Sequence, residues 1–230
     1  MSSKLGYKFI YLLGPEGVGK TTMARLLSDY MRVKGVSKIT VTEVRSSHLH
    51  VYLLKSILMK MGRVEYYKYP HGVLIPRIDR LYLNRIIRPL LFMELTALIT
   101  VILIRVKLRL LLGYIVICTR YVIDSLVDLL AYTLVAPQGR SLIYKLIAPM
   151  LLRLMPDDSV IICLSADYDD LVKRYRERGS YIEPHNWITF YENISRKILK
   201  KLPGHYKLVM INTHSKDRLQ VFNEIIRSVS

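Results

Sequence analysis

The chain has 230 residues, of which 51% are hydrophobic and 23% are charged, and this composition excludes a disordered protein. Its length and apolar content suit one sizeable core in one domain. The formal net charge of +17 predicts attraction to polyanions, a class that includes nucleotides, nucleic acid and acidic membrane surfaces, but it does not choose among them.

The first part of the chain is predicted to alternate strands with helices. In the predicted helix Lys20–Lys34, apolar residues recur on one face, and Gly35 ends the helix. The stretch Arg63–Pro76 is rich in tyrosine and holds two prolines and a glycine, so we expect an irregular connection there. The predicted elements are strand Tyr7–Leu13, helix Lys20–Lys34, strand Lys38–Val44 and helix His50–Met61.

Two further helices, Ile78–Ile87 and Leu90–Leu112, are predicted on either side of Pro89, which introduces a kink or starts a new first turn. The most apolar run, Leu95–Ile104, is followed at once by Arg105. It therefore falls short of the roughly 20 apolar residues that a membrane span needs. We expect a buried or interface helix and no membrane association.

The second half continues the same alternation. Its first strand, Tyr114–Cys118, is continuously apolar, as expected for a strand that is buried on both faces. The elements that follow are helices Asp124–Val135 and Ser141–Leu154, strand Val160–Leu164, helices Asp167–Arg178 and Pro184–Leu202, strand Tyr206–Ile211 and helix Lys216–Val229. Strands separated by helices predict an α/β fold with a mostly parallel sheet and helices on both faces.

The two cysteines lie in apolar runs. We expect Cys118 and Cys163 to be buried thiols in a reducing compartment rather than metal ligands. The segment Met1–Lys8 is short and polar, and no signal-peptide apolar core follows it. These features predict a cytoplasmic location.

A glycine-rich segment between the first strand and the first helix predicts a phosphate cradle. It consists of Gly14, Pro15, Glu16, Gly17, Val18, Gly19, Lys20, Thr21 and Thr22. The glycines let backbone N–H groups wrap around phosphates, and the helix places its positive end at the same point. Lys20 would reach the β- and γ-phosphates, and the Thr21 hydroxyl would ligate Mg²⁺. The segment therefore predicts binding of ATP with Mg²⁺.

This loop resembles that of the thymidylate kinases, a family of P-loop nucleoside-monophosphate kinases. The segment Ile117–Ser125 is similar to the family's Asp-Arg-Tyr segment, and Pro156–Val160 and Leu171–Gly179 also resemble family segments. The resemblance implies a three-layer P-loop kinase fold with a five-stranded parallel sheet, helices on both faces and a short helical lid. We expect residues 1–230 to form one such domain, with the lid at about 173–185.

The resemblance also assigns residues to the acceptor. Glu16 would contact the deoxyribose 3′-hydroxyl, and Arg120 would hold the 5′-phosphate, with Tyr121 beside it in the same motif. Arg45 also lies where it would reach that phosphate. Phe92 matches the phenylalanine that stacks on the base, although a core phenylalanine is the alternative interpretation.

Two positions depart from the family pattern. Thr119 stands where an aspartate that organises the magnesium shell is usual, so either Thr119 acts through water or another acid, Asp124 or Glu43, substitutes for it. The arginine that bonds thymine in the family is absent near Thr96. Metal binding and the identity of the acceptor base therefore stay open at the level of sequence.

The phosphate loop contains no arginine, so the resemblance implies that the lid supplies the cation for phosphoryl transfer. Arg174 and Arg178 are four residues apart and share one helical face, which makes them the candidates. The alternative is a solvated basic helix end, which the helix dipole favours in any case.

The expected activity is phosphorylation of a (deoxy)nucleoside monophosphate by ATP, with dTMP as the first candidate acceptor. The alternatives are a kinase of the same fold with another acceptor, and a nucleotide-binding protein that engages nucleic acid through its basic surface with little kinase activity. The apolar helix Leu90–Leu112 and the family resemblance also imply a homodimer.

Overall fold

The computed structural model describes residues 7–44, 60, 64–68, 74–78, 80–202 and 206–229. Its seven strands are β1 (Phe9–Leu13), β2 (Ile39–Thr42), β3 (Val64–Lys68), β4 (Leu74–Ile78), β5 (Ile115–Cys118), β6 (Ser159–Ser165) and β7 (Tyr206–Asn212). Five of them form a parallel sheet in the order β2-β5-β1-β6-β7. The predicted five-stranded parallel sheet is confirmed.

Helices cover both faces of this sheet. They are α1 (Lys20–Val33), α2 (Arg80–Ile102, continued by Leu103–Lys107 and Leu108–Leu111), α3 (Val122–Val135), α4 (Arg140–Leu142, Ile143–Ile147 and Ala148–Leu152), α5 (Tyr168–Glu177), α6 (His185–Leu199) and α7 (Arg218–Val229). The segments Leu103–Lys107 and Ile143–Ile147 are π-helical turns within longer helices. A short 3₁₀ turn, Pro137–Gly139, precedes α4.

The central strand β1 shows why the fold has three layers. Phe9, Tyr11 and Leu13 pack into the apolar core beneath α2, α3, α4 and α6. Ile10 and Leu12 point the other way, into the core beneath α1 and α7. Because side chains alternate along a strand, a strand buried on both faces must be apolar at every position, and β1 is.

One prediction about the segment before the long helix is wrong, and two others cannot be compared with the structure. The range 63–76 was predicted to be an irregular connection, but it contains β3 and the first part of β4. These two strands pair antiparallel, with Val64 opposite Ile78 and Lys68 opposite Leu74. The tyrosine-rich composition favours strands, and Pro76 is tolerated because both strands of an isolated pair are edges. The predicted helix His50–Met61 and the candidate residue Arg45 lie outside the described residues.

Helix α2 is also more continuous than predicted. Pro89 lies inside the helix and does not separate two helices, and the helix continues to Leu111. Its neighbours Ile87, Leu90 and Leu91 are fully buried, so packing holds the helix together through the proline. The predicted strand at Tyr114 begins one residue later, at Ile115.

In the part of the chain that the structure describes, one helical stretch, Leu83–Leu111, is long and apolar enough to cross a membrane. Half of its most apolar window is buried inside the fold, which is typical of a core helix. Cys118 and Cys163 are buried free thiols, as predicted. Burial raises the pKa of the Cys163 thiol to about 12.

Candidate active site

The phosphate cradle connects the end of β1 to the start of α1. Gly14, Gly17 and Gly19 have φ values of 154°, 81° and 103°, which residues other than glycine rarely adopt. A Cβ atom on Gly14 would collide with the carbonyl oxygen of Leu164, and one on Gly17 would lie 3.1 Å from the ring of Tyr175. The loop therefore needs glycine both for its backbone angles and for close packing against β6 and α5.

Lys20 opens α1 and folds back over the loop. Its ammonium group donates to the carbonyl oxygen of Gly14 and, at 2.8 Å, to that of Pro15. The side chain is buried, whereas the following Thr21 and Thr22 are exposed at the mouth of the loop. The only cation within the loop is thus held at the place where phosphate groups would enter.

A cavity of about 130 Å³, here called the donor cavity, lies over the phosphate loop. It is lined by Glu16, Gly17, Gly19, Lys20, Thr21, Thr22, Glu43, Thr119, Arg120 and Arg178. Five of these residues offer hydroxyl or carboxylate oxygens, the hard donors that Mg²⁺ prefers: Glu16, Thr21, Thr22, Glu43 and Thr119. The donor set therefore fits Mg²⁺ with a nucleotide.

A second cavity of about 440 Å³, here called the acceptor cavity, lies beside the first residues of the loop. It is lined by Gly14, Pro15, Glu16, Arg120, Asp124, Asp128, Tyr181, Glu183, Pro184, Trp187 and Tyr191. Sequence reasoning missed the aromatic residues Tyr181 and Trp187. Their signal was weak: Trp187 is the single tryptophan of the chain and lies just after the lid, but no motif contains it.

Glu16 and Arg120 line both cavities. The Arg120 guanidinium forms an ion pair with the Glu16 carboxylate and lies 3.8 Å from that of Asp128. Arg120 follows β5, whose carboxyl end meets the loop because β1 and β5 are adjacent and parallel. The two cavities therefore meet at this ion pair.

Asp124 does not line the donor cavity, and both of its carboxylate oxygens accept hydrogen bonds from the protein. One of its oxygens accepts from the backbone N–H of Tyr121 at 3.0 Å and from the Tyr11 hydroxyl, and the other accepts from the Tyr191 hydroxyl at 2.6 Å. The Tyr191 oxygen in turn accepts the backbone N–H of Gly14 at 3.3 Å. Burial first, and then the Asp124 charge, raise the pKa of both tyrosines, which keeps them as neutral donors.

The two predicted lid arginines have different partners. Arg174 donates to the carbonyl oxygen of Val18 at 3.4 Å and to the hydroxyl and carbonyl oxygens of Thr213 at 3.2 and 3.1 Å. Arg178 lies 5.7 Å from the ring centroid of Tyr175 and lines the donor cavity. The structure therefore brings Arg178 to the phosphate loop and gives Arg174 contacts that tie α5 to the loop.

The lid is also attached to the loop through a tyrosine. The Tyr175 hydroxyl lies 2.7 Å from the carbonyl oxygen of Glu16 and 3.2 Å from the carboxylate of Glu183. Burial raises the pKa of Glu183, although Tyr175, Arg120 and Lys20 oppose the shift. Tyr175 thus links the Glu183 carboxylate of the lid to Glu16, which lines both cavities.

Two residues predicted to contact the acceptor are not brought to its cavity. Phe92 is 61% exposed on α2 and is not among the described residues that line the acceptor cavity. Tyr121 is fully buried, packs against Phe9 and Tyr11, and donates its hydroxyl to the carbonyl oxygen of Leu154 at 2.9 Å. Its motif position predicted the site, but its side chain points into the core.

Comparison with protein families gives one match. The model of the thymidylate kinase family matches residues 13–225, which includes the phosphate loop, the segment of Arg120 and the lid. No curated protein matches the chain significantly.

Solved structures show the same fold at low identity. A thymidylate kinase from Candida albicans has a TM-score of 0.57 and 15% identity, with 96% of this chain and 90% of that chain covered. A thymidylate kinase from Ehrlichia chaffeensis has a TM-score of 0.51 and 21% identity, with 95% and 96% covered. A deoxyadenosine kinase from M. mycoides with bound dATP has a TM-score of 0.55 and 11% identity, with 95% and 97% covered.

Proposed function

The chain belongs to the thymidylate kinase family, and from that membership we propose that it transfers the γ-phosphoryl group of ATP to the 5′-phosphate of dTMP. The observation that carries the proposal is the shared ion pair of Glu16 and Arg120, which lines the donor and the acceptor cavities at once. Phosphoryl transfer needs two anions aligned at such a meeting point, with little covalent help from the protein.

On the donor side, the residues of the loop neutralise phosphate charge. Lys20 would exchange its contacts with the carbonyl oxygens of Gly14 and Pro15 for phosphate oxygens, while loop N–H groups bind the same anion. Arg178, which also lines the donor cavity, would supply the charge of the lid. When bound, Mg²⁺ would neutralise the β- and γ-phosphates, and Thr21 would be its ligand from the loop.

On the acceptor side, Arg120 would bind the 5′-phosphate. A guanidinium has five N–H donors, so Arg120 can contact phosphate while it keeps its ion pair with Glu16. The acceptor cavity of about 440 Å³ lies within the usual range for small-molecule sites. Trp187 and Tyr181 offer aromatic surface for a base, a role that the sequence had assigned to Phe92.

A panel of acceptors tests the proposal. With ATP and Mg²⁺, we expect dTMP to have the highest kcat/KM among dTMP, dUMP, dCMP, dAMP and dGMP, and thymidine and deoxyadenosine to be inactive. Lys20→Ala should abolish turnover with every acceptor while the thermal unfolding midpoint stays near that of the wild type. A preference for an unphosphorylated nucleoside would contradict the proposal, as would turnover by the Lys20 variant.

A further inference from the structure

Five side chains with hydroxyl or carboxylate oxygens line the donor cavity, and strand pairing brings two of them, Glu43 and Thr119, together. β2 and β5 are parallel neighbours, with Thr42 opposite Cys118. Beyond that pair, the Thr119 N–H donates to the Thr42 carbonyl oxygen at 3.0 Å, and the Val44 N–H donates to the Arg120 carbonyl oxygen at 2.9 Å. These bonds fix Glu43 and Thr119 side by side where the two strands end.

Only two carboxylates, Glu16 and Glu43, are among the described residues that line the donor cavity. Glu16 is paired with Arg120 and faces the acceptor cavity as well. Asp124 does not line the donor cavity, and its oxygens accept hydrogen bonds from Tyr11, Tyr191 and a backbone N–H. Among the described residues, Glu43 is therefore the one carboxylate that lines the donor cavity and not the acceptor cavity.

The charges around this cavity favour a carboxylate among the ligands of a metal ion. Lys20, Arg120 and Arg178 line it, and three cations would repel a divalent cation. P-loop enzymes hold Mg²⁺ through the hydroxyl of the loop together with a carboxylate from the end of a nearby strand. Thr21 supplies the hydroxyl here, and β2 supplies the strand end that carries Glu43.

We propose that Glu43 is the carboxylate that holds Mg²⁺ with ATP, and that Thr119 contributes only a hydroxyl beside it. The inference rests on the proposed function, because only a bound donor nucleotide supplies the phosphate oxygens that complete such a site. It assigns the carboxylate of the metal site to the residue that follows the edge strand β2, next to the threonine that follows β5.

Equilibrium binding of a fluorescent ATP analogue, mant-ATP, tests the assignment without any turnover. Its affinity is measured once in EDTA and once in excess Mg²⁺, and the ratio is the magnesium-dependent gain. We expect Glu43→Gln to reduce this gain about 10- to 100-fold while the affinity in EDTA is kept. Asp29→Asn removes one exposed carboxylate on α1, outside the donor cavity, and should leave the gain unchanged.

A second substitution checks that the lost gain is due to the loss of a carboxylate at this end of the sheet. Adding Thr119→Asp to Glu43→Gln places a carboxylate on the neighbouring strand end and should recover most of the gain. Should Glu43→Gln not fold, Glu43→Asp keeps the charge on a shorter side chain and should lose part of the gain.

An unchanged gain in a folded Glu43 variant overturns the assignment, and so does a wild type that binds mant-ATP equally with and without Mg²⁺. Failure of the wild type to bind mant-ATP under either condition instead overturns the proposed function.

Discussion

Arg174 and Arg178 show how two residues of the same type on one helical face acquire different roles. The Arg174 guanidinium is occupied by oxygens of Val18 and Thr213. Arg178, at the carboxyl end of α5, lies over the Tyr175 ring and at the edge of the donor cavity. Their spacing predicts a shared face, and only their contacts distinguish Arg178, which lines the donor cavity, from Arg174, which ties α5 to the loop.

We therefore predict opposite effects for the two alanine variants. Arg178→Ala should lower kcat about 10³-fold with little change in stability, because it removes a cation directed at the transferring phosphate. Arg174→Ala should lower the free energy of unfolding by about 1 kcal/mol, because it removes hydrogen bonds between α5, the loop and Thr213. Steady-state kinetics and urea unfolding measure the two effects. A larger kinetic defect in Arg174→Ala would reverse the assignment.

At the scale of elements, Asp124 links three parts of the fold. It receives hydrogen bonds from Tyr11 on β1, from Tyr191 on α6 and from the backbone N–H that precedes its own helix, α3. Tyr191 extends the link to the N–H of Gly14. One buried carboxylate thus fixes the start of the phosphate loop relative to two helices.

We predict that Asp124→Asn lowers the free energy of unfolding by about 2 kcal/mol, because an amide presents one acceptor oxygen where a carboxylate presents two. Asp128→Asn, one turn later on the same helix and half-exposed, should change it by less than about 0.5 kcal/mol. Urea unfolding of both variants makes the comparison. Equal effects of the two substitutions would show that the buried network adds nothing to stability.

Some elements followed from sequence patterns and others did not. The strands around the phosphate loop were predicted because continuous apolar runs bounded by glycine identify buried strands. The hairpin of β3 and β4 was missed because its prolines and glycine suggested a loop, and Pro89 was given too much weight inside α2. In α2, tertiary packing overrides the local signal of the proline. In β3 and β4, the strand-favouring tyrosines outweigh the turn residues.

At the scale of the whole molecule, α2 leaves an apolar face uncovered in the described structure. Leu103, Ile104, Leu108 and Leu111 are 48%, 57%, 49% and 85% exposed, and they follow one another along the end of the helix. Exposed apolar patches on this scale mark interaction sites. We propose that a second copy of the chain covers this face, as a symmetric dimer would require.

We predict that light scattering gives the wild type a molar mass equal to that of two chains. Ile104→Glu with Leu108→Glu should raise the dimer dissociation constant at least tenfold, whereas Leu219→Glu on α7, which is also exposed, should not. Because the net charge is +17, raising the salt concentration should strengthen the association by screening repulsion. A wild type with the mass of one chain would refute the dimer.

The sequence by itself determined the phosphate loop, the parallel sheet and the family, because each depends on contiguous residues and on local periodicity. It named Glu16, Lys20, Thr21 and Arg120, which the structure places around the two cavities. Only the tertiary structure separates Glu43 and Arg178, which line the donor cavity, from Asp124 and Arg174, which are not among its lining residues. The physical reason is distance along the chain: Tyr11 and Asp124 are 113 residues apart, and parallel strand pairing, not local pattern, brings such residues into contact.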